Sequence, residues 1–160
     1  MAGKINLFYE TYTEPKLSKL ISDYKVIRIK GLVRILRHSK LSDPYRAIID
    51  TGAHISVVPF YIWKDAKIER LGHYEVSGLS TKPECKIPGV IGKIWLMIQD
   101  RYGNKTDLKA VHACLVLTDE VPFIIGFKDL LSRFNVCFNY EKGEAYIEVS
   151  EKSKKSGGGR

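Results

Sequence analysis

The chain has 160 residues, enough for one packed domain with short tails. Its hydrophobic fraction of 44% and aromatic fraction of 11% exclude a wholly disordered chain, and no apolar run reaches the length of a membrane span. The formal net charge is +8, of which the closing EKSKKSGGGR carries +3, so the body holds a mild basic excess and no concentrated cationic tract.

Residues 1–24 are polar and mixed, interrupted by Pro15, and are expected to form an N-terminal extension to a domain spanning 25–149. In KVIRIKGLVRILR, apolar and basic residues alternate on either side of Gly31 without one strict period, which predicts two strands or one bent strand with a bulge. SKLSDP is a turn, YRAIID a strand, and VVPFYIW leads into a short helix or irregular segment. GHYEVSG predicts a strand, and VIGKIWLMIQD a long one with clear alternation at Ile94, Leu96 and Ile98. RYGNKTD is a hairpin turn signal, LKAVHACLVLTD another strand, and VPFIIG an apolar run ending in glycine. FKDLLSRF has helical spacing, with Leu130, Leu131 and Phe134 on one face, and NVCFNY and AYIEV pair across EKGE. Residues 150–160 read as a flexible basic and glycine-rich tail. Eight to ten short strands with one helix make an all-β barrel or sandwich.

Lys25, Arg28, Lys30, Arg34 and Arg37 outline a basic stripe, but no recognition motif accompanies it, which argues against nucleic acid as a partner. Cys85, Cys114 and Cys137 are too few and too scattered for a disulfide framework or a zinc site. With no long apolar leader, the expectation is a reduced, cytoplasmic protein that needs no metal or cofactor and touches no membrane.

The chemistry concentrates in AIIDTGAHISVVP. An aspartate ending a buried strand is costly unless its charge is stabilised or its proton retained. Gly52 lets the backbone turn tightly beside Asp50, and the Thr51 hydroxyl has hydrogen-bonding capacity to stiffen the loop. An Asx-type turn needs only the Asp and the Gly and is the plain structural alternative.

The wider pattern resembles the active-site segment of the retroviral-type aspartic proteases, the retropepsin family. Asp50, Thr51, Gly52, Ala53, Ser56, Val57 and Val58 fit its first hallmark. FIIGFKDLLSRF fits its second through Ile124, Ile125, Gly126, Asp129, Leu130 and Leu131, and the likeness covers about residues 25–149. The end of the chain looks most like prokaryotic single-domain members. The resemblance implies an all-β, retropepsin-like closed barrel with one short C-terminal helix. It implies an aspartic endopeptidase in which two Asp-Thr-Gly turns face each other and share one proton. This chain holds one such turn, so a complete site requires a homodimer with Asp50 supplied by each copy. AYIEV is then the expected interface strand. On the same basis Asp50, Thr51 and Gly52 are the expected catalytic turn. Ala53, His54, Gly78, Leu79, Ser80, Thr81 and Ile125 are the expected substrate-binding residues. The resemblance makes VSGLSTKPECKIPG the candidate flap, with Leu79, Ser80 and Thr81 at its tip and Gly78 and Gly89 permitting sharp turns; a plain exposed loop is the alternative, since the family's glycine-rich tip is absent. The partner implied besides the second copy is an extended peptide or protein substrate. His54 and Phe127 stand where retroviral enzymes often carry Asp and Arg, which leaves the charged network between cleft and interface without its usual members. The alternative function is a catalytically silent protease-like module used for binding or dimerisation.

Overall fold

The computed structural model describes residues 3–76 and 86–149. The expected flap residues Gly78, Leu79, Ser80 and Thr81, and Cys85 beside them, lie outside this range, as do the residues from 150 onward.

The described chain is mostly strand. In order it forms β1 (Lys4–Asn6), β2 (Phe8–Tyr12), the single-turn helix α1 (Pro15–Ser18), β3 (Val26–Ile35), β4 (Tyr45–Ile49) and β5 (Ser56–Val58). The single-turn helix α2 (Phe60–Trp63), β6 (Ile68–Val76), β7 (Ile87–Gln99), β8 (Lys109–Val116) and β9 (Ile124–Ile125) follow. A 3-10 turn (Leu131–Arg133), β10 (Phe134–Asn139) and β11 (Glu144–Val149) close the chain. The large sheet runs β2-β3-β4-β9-β5-β8-β7-β6, with a further pairing of β3 to β7; a smaller sheet runs β1-β11-β10. No helix among the described residues is long and apolar enough to cross a membrane.

Strand β3 corrects the expectation of a bulge or two strands. It is continuous, and Ile29, Gly31, Val33 and Ile35 share one face, buried from Gly31 onward. What changes at Gly31 is the neighbour. Val26–Lys30 pair with β2, whereas Leu32–Ile35 pair with β7. A Cβ on Gly31 would lie 3.1 Å from Leu7 and 3.4 Å from Ile49 side chains, so the glycine lets three elements meet there. The expected segment before the domain also turns out to be structured: β1 pairs with β11, and β2 with β3. Strand β11, the expected interface strand, is paired on both sides within the protomer, by β1 and β10. A second copy would meet the outer edges of that sheet, not β11 itself.

Leu130, Leu131 and Phe134 are all buried, but FKDLLSRF does not form the expected helix. Asp129 adopts a left-handed φ of 63°, which breaks the helical path and leaves only the 3-10 turn. Gly89, expected to serve a flap turn, lies inside β7, where a Cβ would come within 2.8 Å of the Leu115 carbonyl oxygen. It serves close strand approach. The main core is largely aliphatic, including Val33, Ile35, Ile49, Ile94, Leu96, Ile98, Leu115, Ile125 and Ile147, with a smaller second cluster around Val57, Val116 and Ile124.

The turn after β7 is fastened by Asp100, a residue of no evident role in the sequence. Its carboxylate accepts from the Asn6 backbone and side-chain amides, the Tyr102 backbone and the Asn104 backbone and side-chain amides, at 2.8–3.0 Å. Burial alone would raise its pKa, but these donors outweigh it and hold it at about 2, below the ordinary 3.8. The charged form is the one the fold stabilises. Its contribution is therefore complete above the ordinary carboxylate range and is lost as pH falls through about 2. Asp100→Ala is expected to cost about 2 kcal/mol at neutral pH. In urea melts repeated from pH 7 downward, the gap from wild type should close steadily toward about pH 2. A gap independent of pH would contradict this.

Candidate active site

The Asp50 turn is built where β4 and β9 run side by side. They pair in parallel, Ile48 with Ile124 and Ile49 with Ile125, and the ladder continues as the Asp50 N–H donates to the Ile125 carbonyl at 3.0 Å. Two apolar strands buried together thus carry a carboxylate to their end. Asp50 itself is half-buried, and Thr51, Gly52 and His54 are exposed. The Gly52 N–H donates to Asp50 Oδ1 at 2.9 Å, and the Ala53 N–H to the Asp50 carbonyl at 3.2 Å. The Asx turn expected as the plain alternative is therefore present. It fixes one carboxylate oxygen and leaves the other without a bond to any described group.

The chain then passes over Gly126. A Cβ there would sit 2.7 Å from the Ala53 oxygen and from the Ile55 carbonyl carbon and oxygen. No side chain fits between these two backbones. Three hydrogen bonds, all donated by the amides of residues 126–128, lock the crossing. Phe127 N–H donates to the Ala53 carbonyl at 2.8 Å, Lys128 N–H to the His54 carbonyl at 3.0 Å, and Gly126 N–H to Ser56 Oγ at 3.0 Å. Ser56 is fully buried, so its hydroxyl satisfies an amide that water cannot reach. The two apolar-Gly segments that sequence places far apart are one interlocked unit in space.

Among the expected substrate-binding residues, Ala53 is half-buried and His54 exposed beside Asp50, while Ile125 is fully buried in the core beneath the turn. Thr51 makes no side-chain hydrogen bond to any described residue. The stiffness expected of its hydroxyl comes from Gly52, Ser56 and the Gly126 crossing.

Two functional supports were not legible from spacing alone. Ser56 fits the sequence pattern, but its partner, the Gly126 amide, is 70 residues away. Asp129 anchors the turn after Gly126 onto β8. Its Oδ2 accepts from His112 N–H at 3.0 Å and lies 2.7 Å from His112 Nδ1, while Lys128 and Arg133 approach Oδ1 at 3.7 Å. Burial pushes its pKa up, but the His112 bonds and the Lys128 charge outweigh that and lower it. Asp129 thus combines a strained backbone with favourable side-chain bonds. Asp129→Gly loses the bonds but takes a φ of 63° freely; Asp129→Ala loses the bonds and keeps the strain. We expect Ala to be less stable than Gly by about 1 kcal/mol, read as the difference in urea midpoints at equal slope. Equal stabilities would mean that φ is not constrained there.

The basic stripe is largely occupied within the protomer. Lys30 pairs with Glu10 at 2.8 Å, Arg34 Nε donates to the Ser42 carbonyl at 2.7 Å, and Arg37 donates to the Tyr45 hydroxyl at 3.0 Å. Among the described residues no group of three His, Cys, Asp or Glu side chains is arranged to hold a metal ion. A cavity of about 750 Å³ lies between β1, β2 and the Asp100 turn, lined by residues such as Phe8, Arg46 and Arg101. Asp50 is not among its walls. No protein-family model matches this chain, and no curated protein matches it.

Proposed function

We propose that the chain is a retropepsin-like aspartic endopeptidase, active as a homodimer with one Asp50 from each copy. The observation that carries this reading is the interlock of the Asp50 turn with Gly126. It gives a rigid carboxylate with one oxygen fixed by Gly52 and one left for chemistry. The β3–β7 pairing suits the closed barrel of that family, with the C-terminal helix reduced to a 3-10 turn.

Two such carboxylates brought together cannot both ionise cheaply, so the pair keeps one shared proton over a range of pH. The ionised member takes a proton from a water lying between them. The protonated member donates to the scissile carbonyl oxygen as the water oxygen bonds to the carbonyl carbon. The resulting tetrahedral species collapses when the amine nitrogen receives a proton and the C–N bond breaks. No covalent intermediate forms. Exposed His54 and half-buried Ala53 flank the substrate. The apolar surroundings favour extended peptides with hydrophobic or aromatic side chains near the cut. The unpaired Cys114 and Cys137 thiols suit a reducing setting such as the cytoplasm.

The test is incubation of the purified chain with an unfolded protein from acid to neutral pH, with new peptide termini mapped by mass spectrometry. Cuts should persist in chelator and be blocked by a peptide bearing a hydroxyl-containing mimic of the tetrahedral species. Absence of cuts by a verified dimer at every pH would overturn the reading.

A further inference from the structure

We propose that the β2–β3 hairpin is a clasp for a second copy of this chain, its apolar tip packing beside the other copy's Asp50 turn. The inference rests on the two-copy site proposed above.

The hairpin reaches past the end of the strand that carries Asp50. The β3–β4 ladder ends at Lys30 opposite Ile48. From there β4 runs two residues to Asp50, about 7 Å, in the direction in which β3 runs back four residues to Val26, about 13 Å. The hairpin stays paired throughout, ending with Tyr12 opposite Val26, and the tip extends beyond that. One face of it packs on the core through Tyr9 and Ile29. The next apolar residue of β3 on that face, Ile27, is 40% exposed, so a core-facing surface runs off the edge of the protomer.

The tip is folded and carries an apolar cluster among charged residues. Glu14 accepts from the Leu17 N–H at 2.6 Å, Pro15 opens the turn, and Leu20 and Ile21 N–H both bond the Leu17 carbonyl. Leu17, Leu20 and Ile21 therefore share one helical face. Leu20 is 82% exposed and Ile21 51%, with Tyr12 at 51% nearby in the hairpin. Three apolar side chains gathered on one turn make a contiguous exposed cluster, the kind of surface a partner covers. At the same end of the molecule Phe127, bonded through its backbone to Ala53, is 41% exposed and offers an apolar counterpart. In a two-fold pair each tip would meet the other copy's Phe127 face, so every contact occurs twice. The half-site beside the tip is what favours a second copy as occupant. Lys16, Lys19, Lys25 and Arg28 around the tip make an anionic bilayer the rival occupant.

The experiment is sedimentation equilibrium of wild type and the double variant Leu20→Asp/Ile21→Asp, with peptide cleavage read in parallel. Leu71→Asp, exposed on the β6 edge, is the control. The double variant should dimerise at least about a hundredfold more weakly, because two apolar contacts are lost on each side of a symmetric interface. Its thermal melting as a monomer should match wild type, since both side chains are exposed, and Leu71→Asp should dimerise normally. Equal dimerisation by the double variant would overturn the clasp while leaving the peptidase reading intact. A wild-type dimer that the double variant breaks, yet that cuts nothing, would sustain the clasp and refute the peptidase. A wild-type chain that stays monomeric would overturn the clasp. If it also pellets with phosphatidylcholine–phosphatidylglycerol vesicles through Leu20 and Ile21, the tip is a lipid-seeking surface instead.

Discussion

Asp50→Asn is expected to abolish peptide cleavage, by at least about a thousandfold, while the fold survives and the dimer becomes no weaker. The reasoning starts from shape. Asn is isosteric with Asp, and its amide oxygen can still accept from the Gly52 N–H at the 2.9 Å position. Asp50 is only half-buried, so its neutral replacement disturbs little packing. What disappears is the group that, in the proposed mechanism, takes a proton from water. An amide cannot act as that base, and no other described side chain bonds the carboxylate or could substitute for it. The dimer effect has a definite sign. Two carboxylates at a shared axis repel unless a proton lies between them. Replacing both by amides removes that repulsion, so the variant should dimerise as tightly as wild type or more tightly at neutral pH. Sedimentation and a cleavage assay on the same preparations test both halves. Retained cleavage, or loss of fold, would contradict the role assigned to Asp50.

The second large effect belongs to Gly126→Ala. The added methyl would meet the Ala53 oxygen and the Ile55 carbonyl group at 2.7 Å, and all three atoms are backbone. A flexible side chain could swing aside; a hydrogen-bonded loop cannot. The Asp50–Ser56 loop must lift off β9, stretching the bonds from Phe127, Lys128 and Gly126 that hold it down. We expect a cost of about 3 kcal/mol, a melting temperature about 10 °C lower, and cleavage reduced further than stability because Asp50 is displaced. Gly72→Ala is the matched control, since nothing lies within 4 Å of its would-be Cβ. If Gly126→Ala melts like wild type, the crossing is looser than its geometry implies.

How much of this could be read beforehand depends on the range of each interaction. The β7–β8 and β10–β11 hairpins were legible because alternation and turn residues are local signals, and both appear with regular registers. The Asp50 turn was legible because Asp, Gly and the aliphatics before them sit together in sequence. FKDLLSRF misled because Leu130, Leu131 and Phe134 have helical spacing, whereas Asp129 stands at φ 63° in a turn whose side chain is bonded to His112 of β8, 17 residues earlier. The continuity of β3 was hidden because its partner changes from β2 to β7 at Gly31, which no local period records. Asp100 was silent, and Ser56 was legible in its pattern but not in its partner, for the same reason: the Asn6 amides and the Gly126 amide that they satisfy are 94 and 70 residues distant. The β1 and β2 strands lie in a stretch too polar and short to announce themselves, and only pairing to β11 and β3 defines them.

The most direct test of a site shared between two copies is a mixing experiment. Wild-type and Asp50→Asn chains, differently tagged, are refolded together in varying ratios, and cleavage is measured at fixed total chain. If each site needs Asp50 from both copies, mixed dimers are dead and activity falls at least as steeply as the square of the wild-type fraction. With mixed dimers verified through the two tags, activity falling in proportion to that fraction or more slowly would mean that one Asp50 suffices, and the shared carboxylate site would be wrong.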